Sequence, residues 1–184
     1  MKKTINKIPE IVQKGTPVLR QIAEKVHVSE IKTEKIQNIL KDMSNALETQ
    51  DDGVAIAAPQ IGLALRIFVV SRKVEIMMKK LEDAPESERA GIKDGVYINP
   101  EIKKLSKTKK LMDEGCLSVR PIFGKVERAT KATVTAYDEN GKKFTKGASG
   151  LLAQIFQHET DHLNGVLFVD KATELKEVLP EQVN

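Results

Sequence analysis

The 184-residue chain has one cysteine, three histidines and no tryptophan. A single cysteine excludes an internal disulfide framework. The opening "MKKTINKIPE" carries positive charge without an apolar core behind it, so it does not read as a secretory signal, and a lone Cys116 then fits a reducing cytosol. No apolar run approaches the ~20 residues that a membrane helix requires. Charge of neither sign dominates: 30 Lys+Arg face 26 Asp+Glu, and the net +4 is too diffuse to imply nucleic acid. These deficits lead us to expect a cytoplasmic protein with no membrane association and no specific nucleic-acid partner. With 40% hydrophobic and 30% charged residues, the composition is that of an ordinary globular protein, and the length suits one domain over 1–184.

Repeats and low-complexity linkers are also missing, so periodicity has to carry the organisation. In "TEKIQNILKDMSNALETQD" (33–51) apolar residues recur every three or four positions, which predicts an amphipathic helix with Thr33 as N-cap. "RIFVVS" (66–71) reads as a buried strand, and "GVYINPEI" (95–102) as a second one interrupted at Pro100. Residues 129–147 alternate, turn at Asn140-Gly141 and resume, the signature of a hairpin. From Leu151 the period changes to about 3.6, and Asn164-Gly165 ends this second helix. The charge-dense stretch about 72–94 reads as a surface insertion, helical in part at most. The lysines of 103–110 suit a solvated strand edge, and 171–184 forms a polar tail.

Two of the three histidines lie in "QHETDHLNG" (157–165). Four residues apart on a helix, His158 and His162 project from one face, where two neutral imidazoles can grip one metal ion. Glu159 is close enough to handle the proton of a water activated there. The plain alternative is a polar surface helix with a chance H-E-x-x-H, but the aliphatic Leu151, Leu152, Ile155 and Phe156 argue for burial. A tetrahedral ion needs a third protein ligand, and no histidine follows His162. His27, between Val26 and Val28, suits packing or exposure. The upstream candidate is Cys116 in "DEGCLSVR" (113–120), with Gly115 giving backbone freedom before it and Leu117 and Val119 suggesting a strand just after. Thiolate with two imidazoles suits Fe(II), Zn(II), Co(II) or Ni(II).

Three segments in order, "GVAIAAPQ" (53–60), "EGCLS" (114–118) and "QHETDH" (157–162), make the chain resemble the peptide deformylase family over about residues 8–170. The resemblance implies an α+β fold: a single domain of mixed or antiparallel sheets packed around a central metal-binding helix that carries H-E-x-x-H, with an N-terminal helix. It implies Cys116, His158 and His162 as metal ligands and Glu159 as the general acid/base. It also implies an oxyanion hole made by the Gln60 amide and the Leu117 N–H. The family commonly uses iron, so one divalent ion is expected, Fe(II) first, with Zn(II), Ni(II) or Co(II) able to stand in. The implied substrates are N-formyl-methionyl nascent peptides, with a transient ribosome contact that the tail, not being basic, does not support.

Formyl differs from acetyl by a methyl group, so specificity is a matter of size. Val54, Ala55, Ile56, Gly115, Leu151 and Ile155 are the substrate-binding candidates, although core packing explains the aliphatic ones equally well. Two positions depart from the family pattern: Ala55, where glycine is usual, and Arg120-Pro121, where proline usually comes one residue sooner. Three rivals stay open: a metallopeptidase cutting internal bonds, a catalytically weak homologue that only binds formyl-methionyl chains, and a purely structural metal site.

Overall fold

A computed structural model of the chain describes residues 8–178. Residues 1–7 and 179–184, with part of the charged opening and of the polar tail, lie outside that range. The helix expected over 33–51 is α1, Glu34–Glu48, with Ile36, Leu40, Met43 and Leu47 buried along one stripe. Thr33 caps it, its side chain accepting from the Ile36 N–H at 3.5 Å. Strands β1 (Ala55–Ala57) and β2 (Ile67–Val70) come next, followed by helices α2 (Arg72–Met78) and α3 (Glu86–Arg89). After them run β3 (Gly95–Leu105), β4 (Lys109–Gly115), β5 (Ile122–Ala129), β6 (Lys131–Tyr137) and β7 (Lys143–Ser149). Helix α4 (Gly150–Leu163) and strand β8 (Thr173–Glu177) complete the order.

The strands form two antiparallel sheets, β1-β2-β3-β6-β7 and β4-β5-β8. Helix α4 packs on β1, β3, β6 and β7 of the larger sheet and reaches β5 of the smaller one. This is the expected α+β arrangement with a helix at its centre. Period-two alternation along β1 divides the core. Ala55 and Ala57 pack toward α4 with Phe68, Tyr97, Leu152 and Phe156, while Ile56 packs toward α1 with Leu40, Met43 and Leu47. Phe68 stacks on Tyr97 with ring centroids 4.6 Å apart, and Phe156 meets Tyr97 edge-on at 5.2 Å.

Several expectations need correcting. Cys116 follows a strand and does not precede one: β4 ends at Gly115, and Leu117 and Ser118 form a turn closed by the Val119 N–H on the Cys116 carbonyl at 3.0 Å. Leu117 and Val119 alternate because each packs into a separate core cluster, not because the backbone is extended. The 72–94 stretch is, as expected, a largely exposed excursion helical only in part, with Val74 of α2 buried. Part of the polar tail is strand β8, whose backbone pairs with β5 while all its side chains stay exposed. The lysine cluster falls at the end of β3 and on β4, an edge strand, as a guarded edge requires. Gly165, beyond α4, has φ 73°, and a Cβ there would lie 2.6 Å from the Arg20 carbonyl oxygen, so the turn against the N-terminal stretch admits only glycine.

Candidate active site

Helix α4 presents His158, Glu159 and His162 inward because its neighbouring stripe, Leu152, Ala153, Phe156 and Leu163, is buried in the core. Gln157 fixes the helix along its axis: its Oε1 accepts from the Ala129 N–H and its Nε2 donates to the Ala129 carbonyl, both at 3.0 Å. That side chain completes the end of β5 as another strand would. Cys116 arrives from β4, with Sγ 3.2 Å from His162 Nε2. One ligand atom from each of Cys116, His158 and His162 lies within 4.8 Å of the others. One ion with bonds of ~2.0–2.3 Å needs donors at such separations. His27 is exposed and caps a short 3-10 turn, away from this group.

A buried charge network lies behind the histidines. His158 Nδ1 is 3.0 Å from Glu114 Oε2, which leaves Nε2 as the nitrogen on the Cys116 side. Arg128 grips the same carboxylate twice, at 2.7 and 3.0 Å, and reaches Asp161 at 2.6 Å. Lys171 pairs with Asp161 from outside at 2.7 Å. Burial alone would raise the Glu114 pKa, but the hydrogen bonds from His158 and Arg128 bring it down to about 2. Burial opposes charge on His158, yet its hydrogen bonds to Cys116 and Glu114 hold its pKa well above the usual imidazole range. Burial and the nearby His158 push His162 the other way. Glu159 is buried, and its Oε2 has no hydrogen-bond partner among the described residues. Burial drives its pKa up to about 7. His162 Nδ1 is likewise unpartnered among the described residues.

The group opens into a cavity of about 780 Å³. Gln60, on the 3-10 turn Ala58–Ile61, accepts from the Ala57 N–H at 2.8 Å through Oε1. Its Nε2 end is then the one facing Ser118 Oγ at 3.3 Å and Cys116 Sγ at 3.6 Å. Leu117 also lines the cavity, and its N–H has no hydrogen-bond partner among the described residues. Val54, Ala55, Gly115, Leu151 and Ile155 line it too, whereas Ile56 does not, being turned to the α1 side of β1. Ala55 is in extended backbone paired with Val70, so its methyl is not strained by positive φ. Gly115 serves through space, not flexibility: a Cβ there would meet the Phe123 ring at 2.5 Å. Arg120 pairs with Asp52 at the cavity wall.

Sequence reasoning missed Glu114, Arg128 and Asp161. The available signal was chemical: a ligating imidazole needs a carboxylate on its other nitrogen, and acids stand two residues before Cys116 and one before His162. Arg128 gave only a charged residue inside a strand, a position that asks for a buried partner.

An antiparallel α+β scaffold whose buried helix sets two imidazoles and an acid near a thiolate defines a class, proteins with a donor set for one metal ion. Within that class, the polypeptide deformylase family model matches residues 8–178, and the chain belongs to the peptide deformylase family. It is 41% identical to a peptide deformylase of Halothermothrix orenii over 89% of this chain and 92% of that one. It is 44% identical to peptide deformylase 1A, chloroplastic/mitochondrial, of Arabidopsis thaliana over 89% of this chain. The chain spans 61% of the length of that plant relative and 59% of the Solanum lycopersicum one. Among solved structures, the peptide deformylase of Thermotoga maritima superposes with a TM-score of 0.75 at 31% identity, covering 91% of this chain and 99% of that one. A Synechococcus elongatus peptide deformylase in complex with actinonin gives 0.75 at 34% identity, covering 95% and 84%.

Proposed function

We propose that this chain is a metal-dependent deformylase, one catalytic domain over 1–184 that removes the formyl group from the N-terminal formylmethionine of new proteins and releases formate. The observation that carries the reading is the convergence of Cys116, His158 and His162 beside the buried, unpartnered Glu159. Their donors fit one divalent ion: a thiolate and two imidazoles, with no fourth ligand grouped with them among the described residues, leave a position for a reactant. We assign Fe(II), with Zn(II), Ni(II) and Co(II) as ions that the same donors accept. When bound, such an ion supplies Lewis acidity toward water and the formyl oxygen.

The protein's own groups do the rest. Glu159, buried beside the ligand group, takes the proton of the attacking water and returns it to the departing amine, which leaves poorly unless protonated. Gln60 Nε2 and the Leu117 N–H donate to the oxygen as charge develops on it, each donor worth ~2.7–4 kcal/mol in the transition state. Val54, Ala55, Gly115, Leu151 and Ile155 hold the methionine and the peptide behind it. β1 is an edge strand, so an extended substrate can pair with its free side. N-formyl-methionyl nascent chains are the substrates, met in the cytoplasm at the ribosome through the chain being made. Family membership favours this reading over internal peptide cleavage. The test is formate release from formyl-Met-Ala-Ser by anaerobically purified, Fe(II)-restored protein, with acetyl-Met-Ala-Ser as control. Formate from the first and no turnover of the second are expected; cleavage between methionine and alanine without formate would contradict it.

A further inference from the structure

We infer that Gln13 is a positioning residue for the oxyanion pair, acting through the turn that carries Leu117; this rests on the roles given above to Gln60 and Leu117. The stretch Val12–Lys14 ties together the two loops that supply the pair. The Val12 N–H donates to the Gln60 carbonyl at 2.9 Å, the Gln13 side-chain Nε2 to the Leu117 carbonyl at 3.0 Å, and the Lys14 N–H to the Ser118 carbonyl at 2.7 Å. With the Val119 N–H on the Cys116 carbonyl at 3.0 Å, the carbonyls of residues 116, 117 and 118 are all engaged. Each such bond fixes one peptide plane.

The planes are linked. Lys14 holds the Ser118–Val119 plane, whose N–H in turn holds the Cys116–Leu117 plane, the one that carries the Leu117 N–H. The central plane of this turn, Leu117–Ser118, is the one that rotates by about half a turn between common turn types. Among the described residues Gln13 alone holds it, by a side chain that reaches across 104 residues of sequence. Rotation of that plane would also carry off Ser118 Oγ, the group 3.3 Å from Gln60 Nε2. So one exposed glutamine governs the turn beside one donor and the partner of the other.

The test uses the full, metal-loaded chain with Gln13→Met, which keeps the side-chain length and loses the donor, and Gln13→Ala. Both are expected to lower kcat by about tenfold, a fraction of the ~10²–10³ that a whole oxyanion donor contributes. KM for formyl-Met-Ala-Ser, metal content and the thermal midpoint should stay at wild-type values. In a Gln60→Ala background, Gln13→Met should cost less than about twofold, because groups acting as a unit are not additive. A wild-type kcat for Gln13→Met while Gln60→Ala is slow would overturn the role of Gln13 and leave the reading of the site standing. A wild-type kcat for Gln60→Ala would overturn both. Loss of metal or a raised KM in step with kcat, or full additivity with Gln60→Ala, would make Gln13 a general structural tie and sink the inference.

Discussion

In the proposed mechanism Cys116 holds the ion and Glu159 moves the proton, and single substitutions divide the two roles. Cys116→Ser exchanges a thiolate donor for a neutral hydroxyl, so the ion should be lost on dialysis; metal analysis that found full occupancy together with full activity would remove Cys116 from the ligand set. Glu114→Gln keeps shape but removes the charge that faces His158 Nδ1 at 3.0 Å. Metal affinity should fall by roughly 10–100-fold, measured by competition with a chelator, and an unchanged affinity would reduce Glu114 to a folding role. The candidates His158, Glu159 and His162 were legible in sequence from residue type and helical spacing, and Cys116 from being the one cysteine of the chain. Glu114 was not, because its role exists only once β4 lies beside α4, 44 positions on.

Between elements, Arg128 is the cross-link: a residue of β5 that holds Glu114 of β4 and Asp161 of α4 while itself 4% exposed. Arg128→Met would leave the Glu114 carboxylate buried without its guanidinium while Asp161 keeps Lys171, and should cost about 3–5 kcal/mol of stability in urea unfolding. A loss under ~1 kcal/mol would show that the smaller sheet holds α4 by apolar packing alone. At the edge of the larger sheet, Ala55→Gly adds unfolded-state entropy to an extended, paired residue, so stability should fall by roughly 0.5–1 kcal/mol with little kinetic change. A many-fold rise in kcat/KM would instead mean that the Ala55 methyl restrains the enzyme. Elements with strong periodicity, α1, β6 and α4, were readable from sequence, as was β2 from its continuous β-branched and aromatic run. The turn at Leu117–Ser118 was misread because two residues sent to different cores imitate a strand, and β8 was overlooked because a fully exposed strand leaves no alternation.

For the whole molecule, the buried Glu159 is a cost to the fold as well as the base of the proposed chemistry. Burial raises the Glu159 pKa to about 7, above its unfolded value. A raised carboxyl supports the fold fully below the unfolded pKa of ~4.3 and loses that support as pH climbs through the folded value. Metal-free Glu159→Gln should therefore match the wild type near pH 4 and be more stable above pH 7, by on the order of 3–4 kcal/mol. Urea midpoints across that pH range measure the difference, and parallel curves would contradict the raised pKa. The same substitution gives the most direct test of the central claim that Glu159 moves the proton for deformylation beside an ion held by Cys116, His158 and His162. That measurement is formate release from formyl-Met-Ala-Ser by wild type and Glu159→Gln at equal Fe(II) content. We predict rapid release by the wild type and a loss of at least ~10²-fold in the variant with its iron retained; equal rates, or no formate from the iron-loaded wild type, would contradict it.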